Sequence, residues 1–165
     1  MISVLIPTLN HEAVLGRALA ALTPAAVDGL VSEVVVVDAG STDATLEVAD
    51  DAGCTLFQGA GTPDARLKAA GAAARRDWLL VLDPGAWLQP GWEGVARGHM
   101  DAFPGRAAYF PLATDGLAAA AWSAMTGFGG QGAKALLTPR AEFEPDRGPK
   151  APRRLQSGLL LTRRS

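Results

Sequence analysis

One cysteine, two histidines and one tyrosine in 165 residues leave out much of the chemistry on which many sites depend. Cys54, standing alone, excludes an internal disulfide and suits a reducing, cytoplasmic compartment, where a buried, inert thiol fits better than a nucleophile. His11 and His99 have no sequence neighbour that would complete a triad, and a surface or helix-end place suits both. The chain contains no GxxxxGK[ST] loop, no HExxH and no CxxC. Long apolar runs are missing as well: the lowest-polarity stretch, Leu117 to Met125, is about half of what crosses a bilayer, so no membrane span is expected. No basic region with a small-residue cleavage site precedes the first strand, which argues against a secretion signal. With 48% hydrophobic and 19% charged residues the composition is that of a folded globular chain. A chain of this length is expected to bury about two-thirds of its unfolded surface in one core.

Charge is unevenly placed. Residues 1–133 carry 7 basic and 14 acidic side chains, whereas residues 134–165 carry 8 and 3. A basic C-terminal segment attracts phosphates or makes peripheral contact with an anionic membrane, or else it is a solvated tail. Nucleic acid is not among the expected partners.

The hydrophobic pattern alternates between strand and helix. A first strand at 3–6 leads to a helix capped by Asn10, with Leu15, Ala18, Leu19 and Leu22 on one face and Pro24 at its end. Val34-Val35-Val36-Val37 reads as a buried strand. Its helix starts at Ser41, Thr42 or Asp43 and stops at Gly53. A short strand at 54–57 precedes a helix capped by Thr62, with Pro63 in its first turn and a body running to Arg76. Trp78 to Leu82 is a fourth strand. The order βαβαβαβ predicts an α/β fold of three layers, a mostly parallel sheet with right-handed crossovers and helices on both faces. Further on, 92–100 and 117–126 read as helices and 107–112 and 135–138 as strands. Beyond Pro139, prolines interrupt regular structure, and only 158–162 reads as a late strand.

In such sheets ligands sit beyond the carboxyl ends of the strands. Three strands end there in polar turns: Pro7-Thr8-Leu9-Asn10, Asp38-Ala39-Gly40-Ser41-Thr42-Asp43 and Asp83-Pro84-Gly85. Asp38 and Asp83 therefore share one rim, each as a ligand residue or as a cap of its own turn. Asp38→Ala is expected to abolish ligand binding while leaving the melting temperature nearly unchanged; a large loss of stability would instead mark Asp38 as a structural cap. Asp43 reads as a cap. Gly59-Ala60-Gly61 is no dinucleotide fingerprint, because Asp64 occupies the third glycine position and its charge opposes a pyrophosphate.

These motifs resemble family 2 glycosyltransferases of the GT-A (nucleotide-diphospho-sugar transferase) fold, and more narrowly the short bacterial selenium-domain-associated subgroup. The resemblance is carried by Ser3 to Glu12, by Val34 to Thr45, by Arg66 with Gly71 ahead of Asp77-Trp78, and by Leu79 to Gly91. Gly130-Gln131-Gly132 is a fainter echo. It implies one domain over 1–165, with a nucleotide-binding half at 1–95, an acceptor-side half at 96–138 and a Pro/Arg-rich segment at 139–165. It implies a UDP-sugar donor held by Pro7, Thr8, Asn10, Asp38, Gly40, Ser41, Arg66 and Asp83, with Gln131 on the acceptor side. It also implies Mn²⁺ or Mg²⁺ at Asp83. The chain departs from the pattern in three places. Gly85 stands where the family has its metal-binding acid, Gly130 where the subgroup has aspartate, and no Glu-Asp pair lies between Phe143 and Arg154. Glu142, Glu144 and Asp146 are the nearby carboxylates, and Arg153-Arg154-Leu155 resembles a diphosphate-contacting stretch. Two readings follow: a transferase acting with inversion, or a degenerate nucleotide-sugar-binding module without turnover. A nucleotidyltransferase would show a glycine-rich, lysine-bearing first loop, which is absent.

Overall fold

The computed structural model describes residues 1–86, 88, 90–111, 133–145 and 152–155. The helix expected at 117–126, the strand at 158–162, and Gly130, Gln131 and Asp146 lie outside the described residues.

Four strands run in parallel: β1 (Ile2–Thr8), β2 (Val31–Asp38), β3 (Thr55–Gln58) and β4 (Trp78–Leu82). Between them come α1 (Glu12–Val27), α2 (Thr45–Asp51) and α3 (Pro63–Ala73), and α4 (Trp92–Ala102) follows β4. The sheet continues with β5 (Ala108–Pro111), β6 (Ala133–Pro139) and β7 (Arg153–Arg154), in the order β3-β2-β1-β4-β6-β5-β7. Among the described strands only β6 runs against the others, antiparallel to both β4 and β5.

Alternation along the strands sorts the core into two layers. Ile2, Val4 and Ile6 of β1, with Val36, Leu80 and Leu82, pack on Leu15, Leu22 and Ala25 of α1, Ala49 of α2 and Trp92 and Ala96 of α4. Leu5, Val35, Val37, Leu79 and Val81 point the other way, onto Leu67 and Ala70 of α3 and onto Phe143. The expected three layers, with helices on both faces, are therefore present.

Several local expectations change. Pro24 does not end α1, which runs three residues further. A helical proline lacks only its own N–H, and its carbonyl still accepts from Asp28 N at 3.0 Å. The stop is Gly29 at φ +69, where Leu30 N–H reaches Ala25 O and Gly29 N–H reaches Ala26 O. Gly53 ends α2 in the same way, with Cys54 N–H on Ala49 O. Asn10 does not cap α1; it sits at φ +57 and turns its amide elsewhere. The proline-rich region beyond 139 does contain a strand, since β7 pairs with β5 after Pro152. Cys54 is half-buried, and burial pushes its thiol above the ordinary 9.0, in keeping with an inert group. His99 sits in the last turn of α4, buried against Trp78 and Phe103.

Candidate functional site

The chain moves from β1 to β2 to β3 with helices on one face, then returns to β4 with α3 on the other. The direction of winding therefore reverses between β1 and β4, which is where open α/β sheets open a crevice at their carboxyl ends. Thr8 stands opposite Asp38 at that rim, and Asp83 follows β4 on the far side of β1.

The turns after β1 and β2 are locked to each other. Asp38, 2% exposed, accepts Thr8 Oγ1 at 2.9 Å and Ser41 Oγ on Oδ1, and accepts Gly40 N and Ser41 N, each at 2.8 Å, on Oδ2. Burial pushes this carboxyl up, but the hydrogen bonds from Ser41, Gly40 and Thr8 outweigh it and hold it below the ordinary 3.8. Gly40, at φ +99, takes a backbone that favours glycine. Asn10 N–H donates to Ser41 Oγ at 2.9 Å, and Asn10 Oδ1 accepts Thr42 N–H at 2.8 Å. Asp43 stands one residue before Ala44, the N-cap of α2, and ties the two turns together: it accepts from Thr45 and, at 3.1 Å, from Glu12 N–H, while Glu12 Oε2 accepts Ala44 N–H. Asn10, Asp38, Gly40 and Ser41 thus form one hydrogen-bonded unit, in which Asp38 is the cap of its own turn.

Beside this unit lies a pocket of about 120 Å³. Its apolar wall is Pro7, Leu9, Val37, Pro63 and Leu67, and its polar side chains are Thr8, Asp64 and Arg66. Three residues expected from sequence, Pro7, Thr8 and Arg66, meet here. Asp64 is not among the residues the sequence motifs single out, because the glycine run before α3 points only to, and fails, a dinucleotide fingerprint. The usable signal was simpler: α3 begins just past the carboxyl end of β3, so its first turn stands on the rim that carries Thr8 and Asp38. Asp83, 5% exposed, is elsewhere; its Oδ1 accepts Gly85 N–H at 2.7 Å within the turn closed by Ala86 N on Asp83 O.

The sequence pattern of glycosyl transferase family 2 matches residues 3–120. The chain belongs to that family. Among curated proteins none matches significantly. Solved structures with a similar fold include glucosyl-3-phosphoglycerate synthase from Mycobacterium tuberculosis in complex with Mn²⁺, UDP and phosphoglyceric acid. That chain is 24% identical at a TM-score of 0.65, over 86% of this chain and 56% of that one. S. aureus TarS 1-349 in complex with UDP-GlcNAc is 23% identical at a TM-score of 0.58, over 70% and 36%. This family 2 chain therefore spans a little over half of the synthase and about a third of that TarS fragment, and its fold is the GT-A fold those structures share.

A divalent cation needs several oxygen ligands, and even Mg²⁺ beside a substrate phosphate is held through one or two carboxylates. Here Asp83 spends Oδ1 on its own turn, Gly85 offers no side chain, and Asp38 is saturated. Among the described residues no three His, Cys, Asp or Glu side chains gather as a metal group. The described residues alone therefore do not supply the several oxygen ligands of a metal held by protein groups only. Arg153 does not reach the rim either: it lies over the Phe103 ring at 4.3 Å, on the strand at the opposite edge of the sheet from β3. No described helix is long and apolar enough to cross a membrane.

Proposed function

We propose that this family 2 chain binds a nucleoside-diphosphate sugar, with UDP-sugar as the donor, and transfers the sugar with inversion to an acceptor hydroxyl. The observation that carries the reading is the pocket between the carboxyl ends of β1 and β2 and the start of α3, where Pro7, Thr8 and Arg66 converge beside a prebuilt β1/β2 loop unit. Residues 1–95 form the nucleotide half, with the base in the pocket and the ribose toward Asp83. Asn10, Asp38, Gly40 and Ser41 hold the rim in shape, and Gln131 belongs to the acceptor side. A rim locked by hydrogen bonds before the donor arrives loses little entropy on binding.

A second reading has its own support. Asp38, Asp43 and Glu12 at the rim are all committed to internal hydrogen bonds, so none of these three is placed to deprotonate an acceptor. A nucleotide-sugar-binding module without turnover is built this way. Calorimetric titration with UDP, UDP-glucose and GDP-mannose, with and without Mn²⁺, separates the two when combined with an assay for UDP release. Binding with UDP release, with or without Mn²⁺, supports the transferase, and binding without turnover supports the module. A folded protein that binds no nucleotide ends both.

A further inference from the structure

Away from the pocket, α1 and α2 leave part of the sheet uncovered. The two helices start side by side at the rim, where Asn10 and Glu12 bond to the loop before α2, but α2 has 7 residues and α1 has 16. The second half of α1 therefore borders an open groove of about 610 Å³, with Leu19, Val34, Val48 and Cys54 among its walls. Along the groove, the outer face of α1 is uncharged. Gly16, Ala20, Thr23, Pro24 and Val27 recur there at helical spacing, all exposed, and no residue between Arg17 and Asp28 carries a charge. Val27 is 82% exposed, the most exposed large apolar side chain among the described residues. Exposed apolar surface of this kind marks an interaction site. The competing view is that alanine favours any helix and needs no partner, which explains Ala20. It does not explain Gly16, which weakens a helix: its φ is not positive, and a Cβ there would meet only Val48 Cγ1 at 4.0 Å, an ordinary contact.

We propose that the groove receives α1 of a second copy of this chain, in an antiparallel pair about a two-fold axis. One chain carries both the projection, Val27, and the recess beside Gly16, Leu19 and Ala20. Packing centred between Ala20 and Thr23 brings the partner's Val27 level with Gly16 and, by symmetry, Val27 level with the partner's Gly16. One patch thus completes itself, as a two-fold interface requires. The charges agree with this direction. Arg17 and Asp28 stand about three whole turns apart, roughly 16 Å along the axis, so they share one side of the helix with opposite signs. An antiparallel pair sets Arg17 beside the partner's Asp28 twice over, whereas a parallel pair sets like charges together. The acids of α2, Glu47, Asp50 and Asp51, flank only the first half of α1, so the two copies of α2 lie at opposite ends of the pair. A helix of this length is about 24 Å long and about 10–12 Å across, well short of the ~800 Å² per partner of a standard interface. The association is therefore expected to be weak, half-formed at about 0.1 mM chain.

Sedimentation equilibrium of the whole chain, from about 10 μM to about 1 mM, reads the assembly. The wild-type average mass is expected to rise from the 17.0 kDa of one chain toward twice that value. V27D and G16L should each weaken the dimer by about tenfold or more, and V27D should leave the melting temperature unchanged because its side chain is exposed. R17D and D28R should each weaken it too. The double variant R17D/D28R should recover it, since both cross-pairs re-form with their signs exchanged. Circular dichroism melting shows which variants fold, and V27D with D28R suffices if G16L or R17D does not. A mass of 17.0 kDa up to about 1 mM overturns the proposal and leaves the groove to another partner. A dimer that V27D and D28R do not weaken also overturns it, because the contact then lies on another face.

Discussion

The ring of Phe143 fills the space where a side chain on Gly71 would go. A Cβ on Gly71 would stand 2.6 Å from Phe143 Cδ1 and 2.8 Å from Cε1, with Leu79 Cδ1 at 3.3 Å. Phe143 reaches this place from the turn after β6, and the ion pair between Lys68 and Glu144 ties the same turn to α3. Helix α3 carries Arg66 and Asp64 to the pocket, so the glycine sets how α3 lies against the sheet. G71A gains about 1 kcal/mol of helix propensity but overpacks a core contact that costs about 1–3 kcal/mol. A net loss of up to about 2 kcal/mol is expected in denaturant unfolding. The double variant G71A/F143L should be less destabilised than the sum of its two single variants; strict additivity would show that the two residues do not compete for space.

Asp38 joins β1 to the β2 turn through Thr8, and its removal strands four donors, two of them backbone N–H groups. D38A is expected to cost about 2–4 kcal/mol, a fall in Tm of roughly 5–15 °C for a chain of this size. Thermal melting followed by circular dichroism measures it. A Tm within a degree or two of wild type would restore Asp38 as a ligand residue with no part in holding the rim.

How far the sequence carried follows from the range of the interactions. The four β-branched residues ending in Asp38 declare a buried strand and a polar turn by themselves, and Thr62 with Pro63 declares a helix start, because the forces involved act within a few residues. The Thr8–Asp38 bond spans 30 residues and depends on β1 and β2 being in parallel register, which periodicity does not encode. Asn10 has the composition of a cap, yet its amide pairs with Thr42 across the loop, a choice made by packing. Pro24 does not stop α1 because a proline weakens the turn before it and leaves the turn after it intact. Asp64 lines the pocket only because α3 starts beside the ends of β1 and β2, a juxtaposition no local motif encodes. Arg153 has the right charge for a diphosphate, but the ring of Phe103 holds it at the sheet edge.

Gly85 can be made to supply the missing carboxylate. It lies two residues beyond Asp83, on the turn where the rim faces the expected diphosphate, and its backbone N–H already contacts Asp83. G85D is expected to confer Mn²⁺-dependent tightening of UDP of about tenfold or more, where the wild type shows little dependence, since a second carboxylate brings the donor set to what Mg²⁺ and Mn²⁺ sites use. Titration of UDP in Mn²⁺ and in chelator reads the difference. Strong Mn²⁺ dependence in the wild type would show that the metal needs no second acid here.

The two carboxyls that staple the rim predict how the protein responds to acid. Both Asp38 and Asp43 are held below the ordinary 3.8. For Asp38, burial opposes the shift and the bonds from Ser41, Gly40 and Thr8 exceed it; for Asp43, the side-chain bond from Thr45 leads. A folded-state value below the unfolded one means that the unfolded chain takes up protons first as pH falls. The stabilisation is therefore complete above the ordinary value, near neutrality and down to about pH 5, and is lost as pH drops through 3.8 toward the folded value. Melting temperature measured from pH 7 to pH 3 should stay level and then decline. In D38N the plateau should be lower and the decline shallower, because a group that no longer titrates cannot contribute to the slope. D43N should flatten the same acid limb while leaving Thr8 and Ser41 in place. Acid limbs for both variants that run parallel to wild type would show that neither staple carries the linkage, and that the loss of stability comes from carboxylates elsewhere on the surface.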